Sequence, residues 1–325
     1  MNPTHTAVSP SALSRVLDAM DGRDTVTLRA LSEQTGLGAT TVSRAVQKAT
    51  RLGILSIDEG TDPVGGRPCH TVAPAASVIL PILTLNQGCG TVRATDPRLT
   101  PLGCAVSELN PAMAPEENLR LLCRRGMALL RGCAHGTGWG VSAPVLVTDT
   151  ESAVQSGLSE AVAAVMGVPP MVSLTYGEAI ARGLSAMNLP RKASTLLFLR
   201  TGEGAFACIL CRDGAFRWQE SPLGRSLSAV LSRYPASAGG AEGAIRWGAV
   251  SFVTDLCRFL SPDLLVWEDP RHDGPSEEAL RPLLPGGISI AVHKTPAHGL
   301  SLAEYGAALT GRRILWDKLL ENDRS

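Results

Sequence analysis

The chain has 325 residues, 44% of them hydrophobic and 18% charged, with 30 basic against 30 acidic residues. That length calls for two or three folding units, and the balanced charge excludes a global basic field, so any nucleic-acid contact has to be local. Aromatic residues at 4% argue against a base- or sugar-stacking surface.

The first residues show no basic-then-apolar leader, and no run reaches the roughly 18 apolar residues of a membrane span. Eight cysteines lie scattered without a framework. These features predict a cytoplasmic protein with reduced, mostly buried thiols and no membrane partner.

In chain order, Leu13, Val16, Leu17 and Met20 recur at helical spacing and predict a helix over 9–22, with Ser9 or Ser11 as its cap. A second helix is predicted over 27–35, capped by Thr27 and burying Leu28 and Leu31. Gly36-Leu37-Gly38 breaks the chain. A third helix follows at 39–52, with Val42, Ala45, Val46 and Ala49 on one side and Thr40, Thr41, Ser43, Arg44, Gln47, Lys48 and Arg51 on the other. Gly53 suits a left-handed helix end. Strands at 54–58 and 69–73 flank a Gly/Pro loop, the pattern of a wing.

After residue 76 strands alternate with helices, which implies an α/β layered fold. Strands are expected at 76–85, 90–96, 138–147, 263–267 and 288–293, and a strand–turn–strand–hairpin run over 194–216. Helices are expected at 115–132, 151–166, 176–187, 241–260 and 301–320.

The third helix has the composition of a major-groove reader. Its polar face is small and lined with long donors, and no acidic residue occurs from Gln34 through Ile57. Residues 1–80 nonetheless balance at seven basic against seven acidic, so the positive charge is focused on this helix. Thr41, Ser43, Arg44 and Gln47 are the candidates for base edges or nearby phosphates, and Lys48 and Arg51 for phosphates. Gly65 and Gly66 leave Arg67 free to enter a minor groove.

The stretch LSEQTGLGATTVSRAVQKATRLGIL followed by GGRP resembles the N-terminal region of the ROK family (repressors, open reading frames and sugar kinases). Thr41-Val42-Ser43-Arg44 and Gly65-Gly66-Arg67-Pro68 match that pattern residue by residue, and Gly38 stands where the family commonly has serine. Weaker similarity follows at 138–145, 167–183, 201–214, 260–267 and 304–311.

The resemblance implies a winged helix-turn-helix over 1–75. It implies a two-lobed actin-like (ribonuclease H-like) ATPase fold over 76–325, with lobes at about 76–190 and 191–300 and the terminal helix 301–320 packing back on the first. It further implies a DNA-binding transcriptional regulator of the repressor type, acting on double-stranded operator DNA as a homodimer or dimer of dimers. A sugar-like small-molecule effector would bind in a cleft around Thr84, Asn86, Ser142, Thr175, Glu178, Gly202 and Gly204.

The chemistry of a ROK sugar kinase is not legible. Where active relatives have an Asn-Asp pair this chain reads Leu174-Thr175, and a threonine hydroxyl is no proton acceptor near neutral pH. Thr84, Leu85 and Asn86 replace the family's Asp and glycines, Glu203 would repel a phosphate, and Glu268-Asp269 replaces a glycine pair near the nucleotide. The family's zinc cluster has no counterpart, because residues 217–256 hold neither Cys nor His, and Cys208 and Cys211 point to opposite faces of a strand. No catalytic residue, cofactor or metal is therefore expected. Two other readings stay open at this stage: a sugar kinase with an N-terminal extension, and a ligand-free DNA-binding scaffold.

Overall fold

The computed structural model describes residues 11–61, 68–86, 89–148, 152–187, 195–200, 209–212, 215–216, 254–255, 257–258, 261–268, 277–293 and 299–322. The described chain opens with three helices, α1 (Ala12–Met20), α2 (Leu28–Thr35) and α3 (Ala39–Arg51). Ser11 caps α1 by accepting from the Ser14 N–H at 3.2 Å, and Thr27 caps α2 by accepting from Ala30 N–H at 3.1 Å. Gly36 ends α2 in the left-handed conformation, and Gly53 follows α3 in the same state.

A small antiparallel sheet completes this unit, with β1 (Val26–Thr27), β2 (Leu55–Thr61) and β3 (Pro68–Pro74) in the order β1-β3-β2. Val16, Leu17, Met20, Leu31, Val42, Val46 and Ile54 form its core. Each such side chain contributes about 1.5–3 kcal/mol on full burial.

The second sheet contains β4 (Val78–Asn86), β5 (Cys89–Thr95), β6 (Pro101–Glu108), β8 (Val145–Thr148) and β9 (Val172–Thr175), in the order β6-β5-β4-β8-β9. A two-residue strand, β7 (Gly140–Val141), pairs with the start of β4. The third sheet repeats the plan with β10 (Thr195–Arg200), β11 (Ile209–Arg212), β12 (Ala215–Phe216), β13 (Leu264–Glu268) and β14 (Ser289–His293), in the order β12-β11-β10-β13-β14. In each, an antiparallel meander lies to one side of the first strand and two parallel strands to the other.

Helices α4 (Pro115–Thr137) and α5 (Ser152–Met166) cover one face of the second sheet through Leu83, Leu85, Val92, Leu119, Leu122 and Leu158. The other face, carrying Leu80, Ile82, Val145 and Val147, packs on α6 (Tyr176–Ala186) and on the terminal helix. Leu196, Phe198, Leu264 and Val266 of the third sheet join that same core. A short helix, α7 (Glu277–Leu280), precedes β14, and the chain ends in α8 (Leu302–Asn322).

Most expected elements stand where the periodicity placed them. The expected helix at 115–132 runs on to Thr137, the run 138–147 divides into β7 and β8, and β1, β6 and β9 were not anticipated. The helix expected at 241–260 lies almost wholly outside the described residues. Among the described thiols, Cys123 and Cys257 are buried, Cys89 and Cys133 are half-buried and Cys104 is exposed, so burial is less general than composition suggested.

Helices α6 and α8 meet at a glycine pair. A Cβ on Gly306 would lie 1.8 Å from the Ala179 carbonyl oxygen and 2.7 Å from Gly183 N. We expect Gly306→Ala to cost about 3 kcal/mol through overpacking, read as a lower urea midpoint. Burial pushes the Cys123 thiol up to about 12. Iodoacetamide at about pH 8 is expected to label exposed Cys104 and spare Cys123, with peptide mass mapping as the check.

Candidate functional site

Helix α3 presents two faces of opposite chemistry. Val42, Ala45, Val46 and Ala49 are buried against α1, α2 and β2, while Thr40, Thr41, Arg44, Gln47, Lys48 and Arg51 are exposed and Ser43 is half-buried. All seven predicted contact residues on this helix therefore lie on or beside its free side. Its N-terminus carries no side-chain cap, so no side chain competes there with an acceptor such as a phosphate, although the Thr41 N–H already donates to the Gly38 carbonyl at 2.9 Å. The hairpin strands β2 and β3 close with Thr61 opposite Pro68, and Arg67, with Gly65 and Gly66, lies outside the described residues.

The predicted cleft residues separate. Thr84 and Asn86 of β4 and Thr175 of β9 lie at the C-terminal ends of parallel strands with β8 between them, Leu85 pairing with Thr148 and Thr148 with Thr175. Ser142 sits at the opposite end, its N–H donating to the Ile79 carbonyl at 2.9 Å. Five strand residues, roughly 17 Å, part Ile79 from Thr84. Gly202 and Gly204 lie outside the described residues, as does Glu203.

Thr175 and Glu178 are committed to each other. Thr175 is the N-cap of α6, accepting from Glu178 N–H at 3.2 Å, while the Glu178 carboxylate accepts from Thr175 N–H at 2.7 Å and from its hydroxyl at 2.9 Å. This reciprocal pair is a capping box, and the Thr-x-x-Glu spacing signals it in the sequence.

A second carboxylate network fills the space beside Thr84, and sequence reasoning missed it. The Thr84 and Thr91 hydroxyls hydrogen-bond each other. Thr91 donates to Glu304 Oε1 at 3.4 Å, and Arg93 grips both carboxylate oxygens of Glu304 at 3.3 and 3.4 Å. Glu304 also accepts from Ser301 N–H at 2.9 Å, and Ser301 Oγ accepts from Glu304 N–H at 3.2 Å. Glu268, at the end of β13, accepts from Leu302 N–H at 2.6 Å. Glu304 is 5% exposed and Glu268 1%. The N-terminus of α8 is thus occupied by two of the protein's own anions, which its partial positive charge favours. Ser301-x-x-Glu304 is a capping-box signature that could have revealed half of this arrangement.

The N-terminal unit is joined to α6 and α8 by charge. Asp21 pairs with Arg182 of α6 and lies 3.6 Å from Arg312 of α8, and Asp18 pairs with Arg313 at 2.5 Å. Arg312 is fully buried, stacks 4.9 Å from the Trp316 ring centre and donates to the Pro97 carbonyl at 3.1 Å. Its burial pulls the guanidinium below the ordinary arginine value, against the opposing pull of Asp21. Trp316 and Leu320 are packed with the core of the three N-terminal helices.

Among the described residues no cluster of three His, Cys, Asp or Glu side chains could hold a metal ion, and no helix is long and apolar enough to cross a membrane.

Two sheets of the same strand order, packed on a shared helix pair, define a mixed α/β protein whose sheet-and-helix core matches that of actin-like ATPase-fold neighbours. Its structural neighbours include ROK family proteins. A ROK family transcriptional regulator, a homologue of the E. coli Mlc protein, aligns over 96% of this chain and 97% of its own, with 11% identity and a TM-score of 0.57. That extent takes in the N-terminal helices as well as both sheets. A ROK hexokinase from Thermus thermophilus aligns over 74% of this chain and 99% of its own, at 15% identity and a TM-score of 0.45. A ROK glucokinase from Streptomyces griseus, in complex with glucose and AMPPNP, aligns over 72% and 99%, at 12% identity and 0.49. At such identities the likeness is one of fold. No family model matches the sequence, and no curated protein does.

Glu304→Gln removes the charge that Arg93 and the α8 N-terminus share. We expect a loss of about 1–3 kcal/mol in stability, measured by urea unfolding.

Proposed function

We propose that this chain is a cytoplasmic, DNA-binding transcriptional regulator of the repressor type. The carrying observation is α3, a solvent-facing helix with Thr40, Thr41, Arg44, Gln47, Lys48 and Arg51 on its free side and an apolar stripe locked into a three-helix core. In this reading residues 1–75 form a winged helix-turn-helix with α3 in the major groove and the β2–β3 hairpin as the wing. Residues 76–325 are a ROK-like sensing and dimerisation domain, with lobes at about 76–190 and 191–300. A homodimer, or a dimer of dimers, would read roughly palindromic operators whose half-site spacing matches its two-fold axis. Fold similarity to a ROK regulator over nearly the whole chain supports this reading.

The core is proposed to be non-catalytic. Thr175 offers no base, and its hydroxyl is spent on the α6 capping box. Glu268 and Glu304 place negative charge at the head of α8, and Glu268 stands where the family resemblance has a glycine near the nucleotide. A phosphate brought there would meet carboxylates rather than donors. A small-molecule effector, sugar-like by the resemblance, would act by binding two arrangements of the molecule unequally.

Arg44→Ala and Arg67→Ala are expected to weaken binding to operator sequences selected from random DNA, each by about 1–3 kcal/mol where a base or groove contact is lost. Arg44→Ala should relax sequence choice, and Arg67→Ala should lower the salt dependence. Unchanged gel-shift titrations for both variants at fixed salt would sink the reading.

A further inference from the structure

A cavity of about 500 Å³ lies between the N-terminal unit and α6, lined among others by Arg15, Asp18, Asp21, Arg23, Thr35 and Ser185. We infer that it is a binding site for a small organic anion, a carboxylate or phosphate ester. Its occupancy would reset the turn that orients α3. The regulatory half of this inference rests on the DNA-binding reading above.

Charge selects the ligand class. Both carboxylates in the wall already face guanidiniums outside it, Asp18 facing Arg313, which it shares with Asp317, and Asp21 facing Arg182 and Arg312. The wall's own two guanidiniums are those of Arg15 and Arg23. Arg15 donates to the Thr35 carbonyl and has no carboxylate partner among the described residues. Arg23 is half-buried, and its side chain has no hydrogen bond or ion pair among the described residues. A guanidinium presents a planar fork of donors matched to carboxylate and phosphate oxygens. The cavity falls within the range of about 300–1,000 Å³ that small-molecule sites occupy.

Position gives the consequence. Thr35 is the last residue of α2, and only Gly36, Leu37 and Gly38 separate it from α3. The Thr35 hydroxyl donates to the Leu31 carbonyl and accepts from Leu37 N–H at 3.3 Å, so this residue fixes the course of the turn. An anion that draws Arg15 towards itself releases the Thr35 carbonyl from its guanidinium. The opposite wall, Ser185 and Ala186, is the C-terminal end of α6, and beneath it Ala186 touches Gly22 closely enough that a Cβ there would lie 2.9 Å away. A bound anion would therefore act as a wedge between the two units. The site is distinct from the cleft residue Thr175, which caps the other end of α6, roughly 16 Å away along an 11-residue helix.

The test is isothermal titration of the full chain, without DNA, with citrate and with inorganic phosphate against chloride of equal ionic strength. Saturable binding of either anion is expected, weakened about tenfold or more in Arg23→Gln. Arg29→Gln, which alters an exposed arginine already paired with Glu33, should leave it unchanged. No saturable heat with either probe, or equal binding by Arg23→Gln with an unaltered melting temperature, overturns the site. A gel shift with the bound anion then tests the coupling. A changed operator affinity in the native chain but not in Arg23→Gln supports it, and binding without effect on DNA overturns it. Because the titration contains no DNA, its outcome is independent of whether the chain reads an operator.

Discussion

Helix α8 approaches α6 as closely as a backbone can, and the rest of the molecule is arranged around that contact. Gly183 and Gly306 stand face to face, with no room for a single methyl group between Gly306 and the Ala179 carbonyl. Such proximity fixes the two helices as one body, since close-packed interiors transmit displacement rather than absorb it. Both sheets then pack on that body, the second through Leu80, Ile82, Val145 and Val147 and the third through Phe198 and Val266.

The same helix continues past this core into another. Its first half, Leu302 to Leu309, belongs with the two sheets, while Trp316 and Leu320 lie with the N-terminal helices. The N-terminal unit is thereby seated on the body rather than tethered to it. The seat is electrostatically expensive, because removing Arg312 from water costs several kcal/mol before any partner is counted. Its compensation is distributed over Asp21, the Pro97 carbonyl and the Trp316 ring. Asp21 and Pro97 lie on segments apart from α8, so the stability of this buried charge depends on their placement relative to the helix. Arg98 adds a further link, donating to the Pro74 carbonyl at 3.0 Å and to Ser56 Oγ at 2.9 Å in the N-terminal sheet.

Local signals made much of this legible in the sequence. The heptad-like spacing of Leu13, Val16, Leu17 and Met20, the caps Ser11 and Thr27, and the left-handed glycines at 36 and 53 each act within a few residues, and each element stands where they put it. Strand β6 was hidden because PLGCAVSE opens on proline, holds a glycine and buries one side chain only, as an edge strand does. Strand β9 has four half-buried residues and therefore no alternation to read. The charged seat and the Glu304 network escaped for a different reason. Arg93 and Glu304 are 211 residues apart, and Asp21 and Arg182 are 161 apart, so no local period announces them.

The fate of Thr175 and Glu178 shows how far residue type alone can take a functional assignment. Both were singled out because they occupy positions that a catalytic or ligand-binding role would use. In the structure each satisfies the other, and their hydrogen bonds start the helix that runs to the N-terminal unit. Glu268 and Glu304 complete the same logic across the cleft. A helix terminus that elsewhere in nature attracts phosphate holds intrinsic carboxylates here, Glu304 from the first turn of α8 itself and Glu268 from the end of β13. Such a terminus has its charge supplied at folding. The bond from Glu268 to Leu302 also ties the third sheet to α8. At the junction beneath the N-terminal helices, Arg15 and Arg23 face a cavity without a carboxylate partner among the described residues.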